Sequence, residues 1–374
     1  MNAEHDARFM RRALDLAERG RGLTSPNPMV GAVVVSGETI VGEGFHEAAG
    51  GPHAEVAALA AAGACARGAT LYVTLEPCVH HGRTPPCAPV VLAAGINRVV
   101  AALIDPNPLV GGRGLAVLRA AGVEVTNGVL GAAAERQNRA FLTSIRLRRP
   151  HVTLKAAMTL DGRIADVHGE SKWITGPAAR ASAHRLRSQS DAIVVGVETA
   201  LRDDPALTVR LDRPWPREPY RVVLDSAART PVDARLITAG TPARAMIVTG
   251  NNADPARAAA LRAAGATVVT VAGRVGRVDL RGALAALAAL EVRAVLVEGG
   301  GEVHGAFLDA GLVDRVVMFV APRLVGGRTA TPAIGGAGSP LKGAPRLTAL
   351  EVTRVGDDLL IEGDVVPVGR PGGD

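Results

Sequence analysis

His53-Ala54-Glu55, Glu76-Pro77-Cys78 and Val79-His80-His81-Gly82-Arg83-Thr84-Pro85-Pro86-Cys87 bound the stretch that decides how this chain is read. One imidazole and two thiols are three soft donors, and a zinc held by three protein ligands keeps a fourth position for water. Glu55, two residues beyond His53, puts a carboxylate where that water's protons could be relayed. Residues two apart leave a helix on different sides. His53 and Glu55 can therefore serve one metal only at the mouth of the helix opened by Val56-Ala57-Ala58-Leu59-Ala60. There the helix dipole favours thiolates and hydroxide. Pro77 forces the chain out of the apolar strand Leu71 to Leu75, and Cys87, followed by Pro89, starts the next helix.

Two other readings fit the same residues. A structural zinc knot would draw its fourth ligand from His80 or His81, and two buried thiols could pack with no metal at all. The three-ligand set is more specific: His/Cys/Cys with a non-ligand Glu is the pattern of zinc deaminases acting on nucleobase-like rings. Two of only three cysteines fall in this stretch. The third, Cys65, fits no motif and reads as a small buried helix residue.

At 374 residues the chain is long for one domain, and two are expected. Apolar residues make up 48%, enough for real cores, while aromatics are 2%, leaving the interiors to Ala, Val and Leu. Three cysteines cannot form a disulfide framework, which suits a reducing, cytoplasmic compartment. No apolar run is long enough for a bilayer, and Met1 to Asp6 does not read as a signal peptide, so no membrane partner is expected. A net charge of +6 suits acidic ligands. Scattered arginines and few aromatic platforms argue against nucleic acid and for phosphate-bearing small molecules.

In chain order, Glu4 to Arg19 is an amphipathic helix burying Phe9, Ala13, Leu16 and Ala17. Met29 to Val35 and Ile40 to Gly44 form a hairpin turned at Gly37. Strands at Leu71 to Leu75, Arg98 to Ala102 and Val123 to Thr126 alternate with helices at Pro89 to Ala94 and Gly114 to Ala121, which is a layered α/β sandwich. Asp105-Pro106-Asn107-Pro108 follows a strand end, where α/β sites lie. Ala132 to Arg149 reads as one charged helix joining the domains. The second part begins with the strand His151 to Met158 and alternates again. Its helices are expected near Pro177 to Ser188, Pro255 to Ala264, Leu280 to Leu290 and Val303 to Ala310. Leu347 to Val355 and Leu359 to Val365 suggest an antiparallel edge, and Gly326 to Pro345 reads as a surface loop. The tail from Gly369 to Asp374 is expected to be disordered.

These motifs together resemble the bifunctional riboflavin-biosynthesis deaminase/reductase family. His53-Ala54-Glu55 and Pro77-Cys78-(eight residues)-Cys87, with the insert His80-His81-Gly82-Arg83-Thr84-Pro85-Pro86, resemble its deaminase half. The spacing is wider than the Pro-Cys-x-x-Cys of most cytidine-type deaminases. Lys155-Ala156-Ala157-Met158-Thr159-Leu160-Asp161-Gly162-Arg163, Trp173-Ile174-Thr175, Asp203-Asp204-Pro205-Ala206-Leu207-Thr208-Val209-Arg210 and Glu298-Gly299-Gly300-Gly301 resemble its reductase half. The resemblance implies an α/β chain in two domains. Residues 1–148 would be a cytidine-deaminase-like α/β/α sandwich and residues 149–374 a dihydrofolate-reductase-like α/β domain. It also implies a homo-oligomer. A phosphorylated diaminopyrimidinone would lose its ring amino group, and the ribosyl group of the product would then be reduced by NADPH.

Residue roles carry over with the resemblance. His53, Cys78 and Cys87 would hold Zn2+, and Glu55 would transfer protons. Asn27 and Asp105 would grip the pyrimidine, while His46, His80 and Arg83 would contact its ribose or phosphate. NADPH would meet Ala157, Trp173, Thr199, Asp203, Ser226 and the loop Gly300-Gly301-Glu302-Val303-His304-Gly305-Ala306. The reductase substrate would meet Lys155, Ser171, Arg187, Leu207, Arg210 and Glu298, the two arginines being suited to bidentate phosphate binding. By itself Gly299-Gly300-Gly301 is equally a tight turn, and a lone Trp173 is equally core. A base, nucleoside or tRNA deaminase with an inactive second half, and a non-catalytic binding module with a structural zinc, are the competing functional readings.

Overall fold

Alternation of apolar residues along Ala32-Val33-Val34-Val35 sends successive side chains to opposite faces of a strand, so both faces must be covered. The computed structural model describes residues 3–82, 84–273 and 276–366, and the chain divides into two compact units, Met1–Arg148 and Arg149–Asp374. In the first unit the elements run α1 (Ala3–Glu18), β1 (Gly31–Ser36), β2 (Thr39–Phe45), α2 (Ala54–Ala62), β3 (Thr70–Val73), α3 (Cys87–Ala93), β4 (Arg98–Ala101), α4 (Arg113–Ala120), β5 (Glu124–Asn127), α5 (Gly131–Gln137) and α6 (Arg139–Leu147). The sheet order is β2-β1-β3-β4-β5, antiparallel through β3 and parallel from β3 to β5. Ala32 and Val34 pack on one face with Ala58, Ala88, Val91 and Leu115 of α2, α3 and α4. Val33 and Val35 pack on the other with Phe9, Met10, Ala13 and Leu16 of α1.

Small residues let the layers close. A side chain at Gly31 would collide with the backbone of Ala13, and one at Gly44 with the backbone of α2. With so few aromatic residues, much of the cohesion comes from this close backbone approach. Arg98 on β4 ties α1 down: it donates to both Asp6 carboxylate oxygens at 2.8 Å, and the Tyr72 hydroxyl donates to Asp6 at 2.9 Å.

Two expectations fail in this unit. The helix expected over Ala132 to Arg149 is two helices, interrupted at Asn138. The buried Asn138 side chain accepts from the Met29 amide and donates to the Met29 carbonyl, both at 2.8 Å, and this tertiary pairing outweighs helical continuity. Cys65 is exposed: α2 stops at Ala62, Gly63 turns at φ 53°, and a short 3-10 turn holds Cys65 at the surface.

The second unit runs β6 (His151–Thr159), α7 (Pro177–Ser188), β7 (Ala192–Gly196), α8 (Val197–Asp203), β8 (Tyr220–Leu224), α9 (Arg235–Thr238), β9 (Ala245–Thr249), α10 (Pro255–Ala263), β10 (Thr267–Thr270), α11 (Leu280–Ala289), β11 (Ala294–Gly299), α12 (Gly301–Asp309), β12 (Arg315–Ala321), β13 (Arg346–Val355) and β14 (Asp358–Val366). Nine strands form one sheet, β10-β9-β8-β7-β11-β6-β12-β14-β13. The first seven are parallel and the last two antiparallel, the expected edge. Parallel strands put their carboxyl ends on one rim, where crossover loops gather. α8 and α9 are short and were not anticipated from sequence pattern. The loop from 326 to 345 is not wholly superficial: Ala330 and Ala333 are buried, and His304 Nδ1 lies 2.8 Å from the Ala333 carbonyl. The expected disorder of the tail from 369 to 374 concerns residues outside those described. Among the described residues no helix is long and apolar enough to cross a membrane.

Arg98, with Tyr72, holds the Asp6 carboxyl below its ordinary value. Its interaction is therefore fully present above the unfolded carboxylate pKa of about 4 and is lost as pH falls through the lower folded value. Asp6→Asn removes the buried bidentate carboxylate and leaves Arg98 only the exposed Glu124 carboxylate, 2.9 Å from its Nε; it is expected to cost roughly 3 kcal/mol. Urea unfolding followed by circular dichroism tests this. The loss should shrink below the folded carboxyl pKa, and an unchanged midpoint at neutral pH would contradict it.

Candidate zinc and nucleotide-cofactor sites

Pro52 leaves the backbone extended, and His53 (φ −73°, ψ 157°) becomes the N-cap of α2. Cys87 opens α3, and Cys78 follows β3 after the Pro77 break. Two helix amino ends and one strand end thus bring together the three predicted donors. His53 Nδ1 lies 3.1 Å from Cys87 Sγ and 3.6 Å from Cys78 Sγ, and all three donor atoms fall within 4.8 Å of one another. Tetrahedral coordination at ordinary Zn–S and Zn–N lengths separates neighbouring donors by roughly 3.5–3.8 Å, so the set fits zinc after small adjustment. Among the described residues this is the one grouping suited to a metal, and neither His80 nor His81 belongs to it. Three-ligand sets of this kind are those of catalytic zinc, which takes water in its fourth position.

Sulfur chemistry in the cluster is polarised. A hydrogen bond from the Cys87 thiol, joined by His53, lowers the Cys78 thiol to about 4. The same contact and burial push the Cys87 thiol up. Glu55, in the first turn of α2, is buried, and burial raises its carboxyl to about 7 despite the nearby His53 charge.

On the imidazole side, His46 stacks edge-on to His53 with ring centroids 5.6 Å apart. Burial lowers the His46 imidazole, and its Nδ1–H donates to the Pro52 carbonyl at 2.9 Å. Its Nε2 then accepts from Asn27 Nδ2 at 3.0 Å. Asp105 is buried, and burial, aided by the Glu76 charge, raises its carboxyl to about 6. His80 is half-buried within electrostatic reach of Asp105. Arg83 lies outside the described residues.

Glu76, two residues before Cys78, is the residue that sequence reasoning passed over. Its buried carboxylate accepts from the backbone amides of Asp105, Gly112, Gly114 and Leu115 at 2.8–3.2 Å. It therefore holds the Asp105 loop against the end of β3. The signal was available in Glu76-Pro77-Cys78, but a carboxylate beside a ligand was not assigned a task.

In the second unit the parallel strand ends enclose a cavity of about 280 Å³. Lys155, Ala157, Ser171, Trp173, Thr199, Asp203, Glu298, Gly300 and His304, all singled out from sequence, line it. Trp173 is 62% exposed, which excludes the core reading, and Arg180 stacks 4.5 Å from its ring centroid. Thr199 Oγ1 accepts from the Gly300 amide at 3.2 Å. Ser226, Gly301, Glu302, Val303, Gly305 and Ala306 lie outside this lining. A side chain at Gly301 would collide with the Pro332 carbonyl, so that glycine serves packing of α12 against the loop from 326 to 345.

Arg187 departs from expectation. Its fork is taken by Glu298, with Nε and Nη2 each 2.7 Å from a carboxylate oxygen, and Nη1 donates to the Thr208 carbonyl at 3.1 Å. Burial would raise Glu298, but Arg187 and Lys155 overcome it and hold the carboxyl at about 2. Burial lowers Lys155, with Glu298 opposing. Leu207 is buried at φ 50°, while Arg210 remains exposed and its amide donates to His184 Nδ1 at 3.3 Å.

Comparison with known proteins covers both units. Residues 3–103 match the cytidine and deoxycytidylate deaminase zinc-binding region, and residues 150–361 match the RibD C-terminal domain. The riboflavin biosynthesis protein RibD of Actinobacillus pleuropneumoniae is 44% identical, over 96% of this chain and 94% of its own. That of Escherichia coli K12 is 43% identical, over 95% and 98%. Among solved structures, Acinetobacter baumannii RibD superposes with a TM-score of 0.88 at 38% identity, covering 98% of this chain and 100% of that one. A Thermotoga maritima diaminohydroxyphosphoribosylaminopyrimidine deaminase/reductase superposes at 0.83 and 35% identity, covering 97% and 99%.

Metal analysis after purification from zinc-replete medium should find about one zinc per chain for the three-ligand set. Cys87→Ser should fall well below that, and Glu55→Gln should match the unaltered chain. Full zinc retention by Cys87→Ser would remove it from the ligand set.

Proposed function

This chain belongs to the bifunctional riboflavin-biosynthesis deaminase/reductase family, and from that membership we propose how its units divide the work. The first unit deaminates a diaminopyrimidinone that carries a ribosylamino phosphate. The second reduces the ribosyl group of the product to ribityl at the expense of NADPH. Carrying the first assignment is the meeting of His53, Cys78 and Cys87 beside a buried carboxylate that is not a ligand. Supporting the second is the lined cavity at the carboxyl rim of a parallel sheet.

Zinc held by His53, Cys78 and Cys87 would supply a water whose ionisation is shifted toward neutrality. Glu55 takes the proton from the attacking water, passes it to the ring nitrogen beside the amino-bearing carbon, and then assists departure of the amine as ammonia. Its buried setting suits a carboxyl that must hold a proton between steps. Asn27, oriented by His46, and Asp105, held by Glu76, would orient the ring. In the second unit Trp173, Thr199 and the Gly300 turn would seat the cofactor that brings the hydride, and Lys155 and Ser171 would face the substrate. With Arg187 committed to Glu298, the exposed Arg210 is the guanidinium assigned to the substrate phosphate.

A base, nucleoside or tRNA deaminase with an idle second half is not favoured, because the resemblance extends through both halves and the second unit has its cavity. Residence in the cytoplasm is supported by three cysteines with no disulfide. Assembly as a homo-oligomer is supported by exposed apolar residues on the edge strand β13, such as Leu350 and Val352.

Glu55→Gln should slow ammonia release by about 10²–10⁴-fold and leave NADPH oxidation with the deaminated substrate unchanged. Loss of both activities, or of neither, would contradict separate sites. Arg210→Ala should raise KM for the phosphorylated reductase substrate about 10- to 100-fold, the worth of a charge-assisted hydrogen bond. KM for NADPH should not move. Steady-state kinetics with each substrate varied in turn distinguishes the two constants.

A further inference from the structure

Eight residues separate Cys78 from Cys87, and the roles assigned so far leave Thr84 without one. The described residues of the segment between them fold back on themselves. At its base the Cys87 amide donates to Cys78 Sγ at 3.3 Å and the Ala88 amide to the Cys78 carbonyl at 3.1 Å. Near its tip the Gly82 amide donates to the Thr84 carbonyl at 3.3 Å. This turn brings Thr84 back over the imidazole, with Oγ1 3.0 Å from His53 Nε2. The opposite ring nitrogen, Nδ1, is the one facing both sulfurs.

We propose that Thr84 is a positioning residue for the metal: its hydroxyl accepts Nε2–H of His53 and commits the Nδ1 lone pair to zinc. The inference rests on His53, Cys78 and Cys87 being the zinc ligands. A neutral imidazole carries one proton, so a metal on Nδ1 requires that proton on Nε2. The Nε2–H then needs an acceptor, and Thr84 Oγ1 is within hydrogen-bond distance of it. Outer partners of this kind set the tautomer and the ring orientation of a ligating histidine. A two-residue spacer between the cysteines could not carry an intervening residue out past the imidazole and back. The longer loop can, and its length acquires a purpose beyond contacts with substrate.

Thr84→Val keeps the shape of the side chain and removes the hydroxyl, Thr84→Ala removes both, and Thr84→Ser keeps the hydroxyl. Zinc affinity is measured on the full chain at fixed pH by competition with a chromophoric chelator. NADPH oxidation in the second unit and thermal unfolding serve as folding controls. Thr84→Val and Thr84→Ala should bind zinc about 10- to 100-fold more weakly, with Thr84→Ser near the unaltered chain and the controls unchanged. Wild-type affinity in Thr84→Val overturns the proposal. Equal weakening in Thr84→Ser also overturns it, since the methyl group would then be responsible. If the unaltered chain binds no zinc, the ligand assignment itself fails, and this proposal with it.

Discussion

The first unit depends on one convergence: the amino ends of α2 and α3 meet the carboxyl end of β3 at His53, Cys87 and Cys78. Donor atoms a few ångströms apart tolerate little drift of the helices that carry them. The position of α2 is set by close contact with β2, where Gly42 and Gly44 leave no room for a side chain. The composition, rich in alanine and glycine and poor in aromatics, therefore bears on the site as well as on the core. Glu76 extends the same economy, its one carboxylate accepting from two amides of the Asp105 loop and two in the first turn of α4. The His53, Cys78 and Cys87 donors and the Asp105 loop are thus referenced to a single strand end.

The second unit solves a different problem. Lys155 and Glu298, both half-buried, line its cavity, and Arg187 pairs with Glu298 behind it, a group of charges that would be costly to desolvate apart. Pairing Arg187 with Glu298 in a bidentate geometry keeps the carboxylate ionised and fixes its direction. Burial alone would push the Glu298 carboxyl up, and Arg187 opposes it. Trp173 lies at the mouth in an exposed position, its ring covered by Arg180. A large aromatic there is available to a ligand rather than to the core.

Much of this was legible in order along the chain. Strand and helix positions followed from apolar periodicity, and α7 was expected at the bounds it has. His53, Cys78, Cys87 and Glu55 were legible because metal chemistry admits few residue types and their spacing was informative. The break at Asn138 was not legible, since its cause is Met29, 109 residues away. Cys65 was misplaced because helical pattern continues past Ala62 while Gly63 turns the chain. The pairing of Arg187 with Glu298 was not legible either, because a guanidinium gives no sign in sequence of the carboxylate it meets 111 residues away.

By itself the sequence determined that two α/β units would form, that three soft donors and a carboxylate would meet at a helix mouth, and which family's chemistry the motifs carry. These are local consequences of residue type and spacing. Only the tertiary structure decided which polar groups are already engaged: Glu76 with the Asp105 loop, Glu298 with Arg187, and Thr84 with His53. Each of those pairings joins residues 29 or more positions apart, so no local pattern encodes them. They exist because packed layers bring distant polar groups within hydrogen-bond reach and remove the water that would otherwise satisfy them.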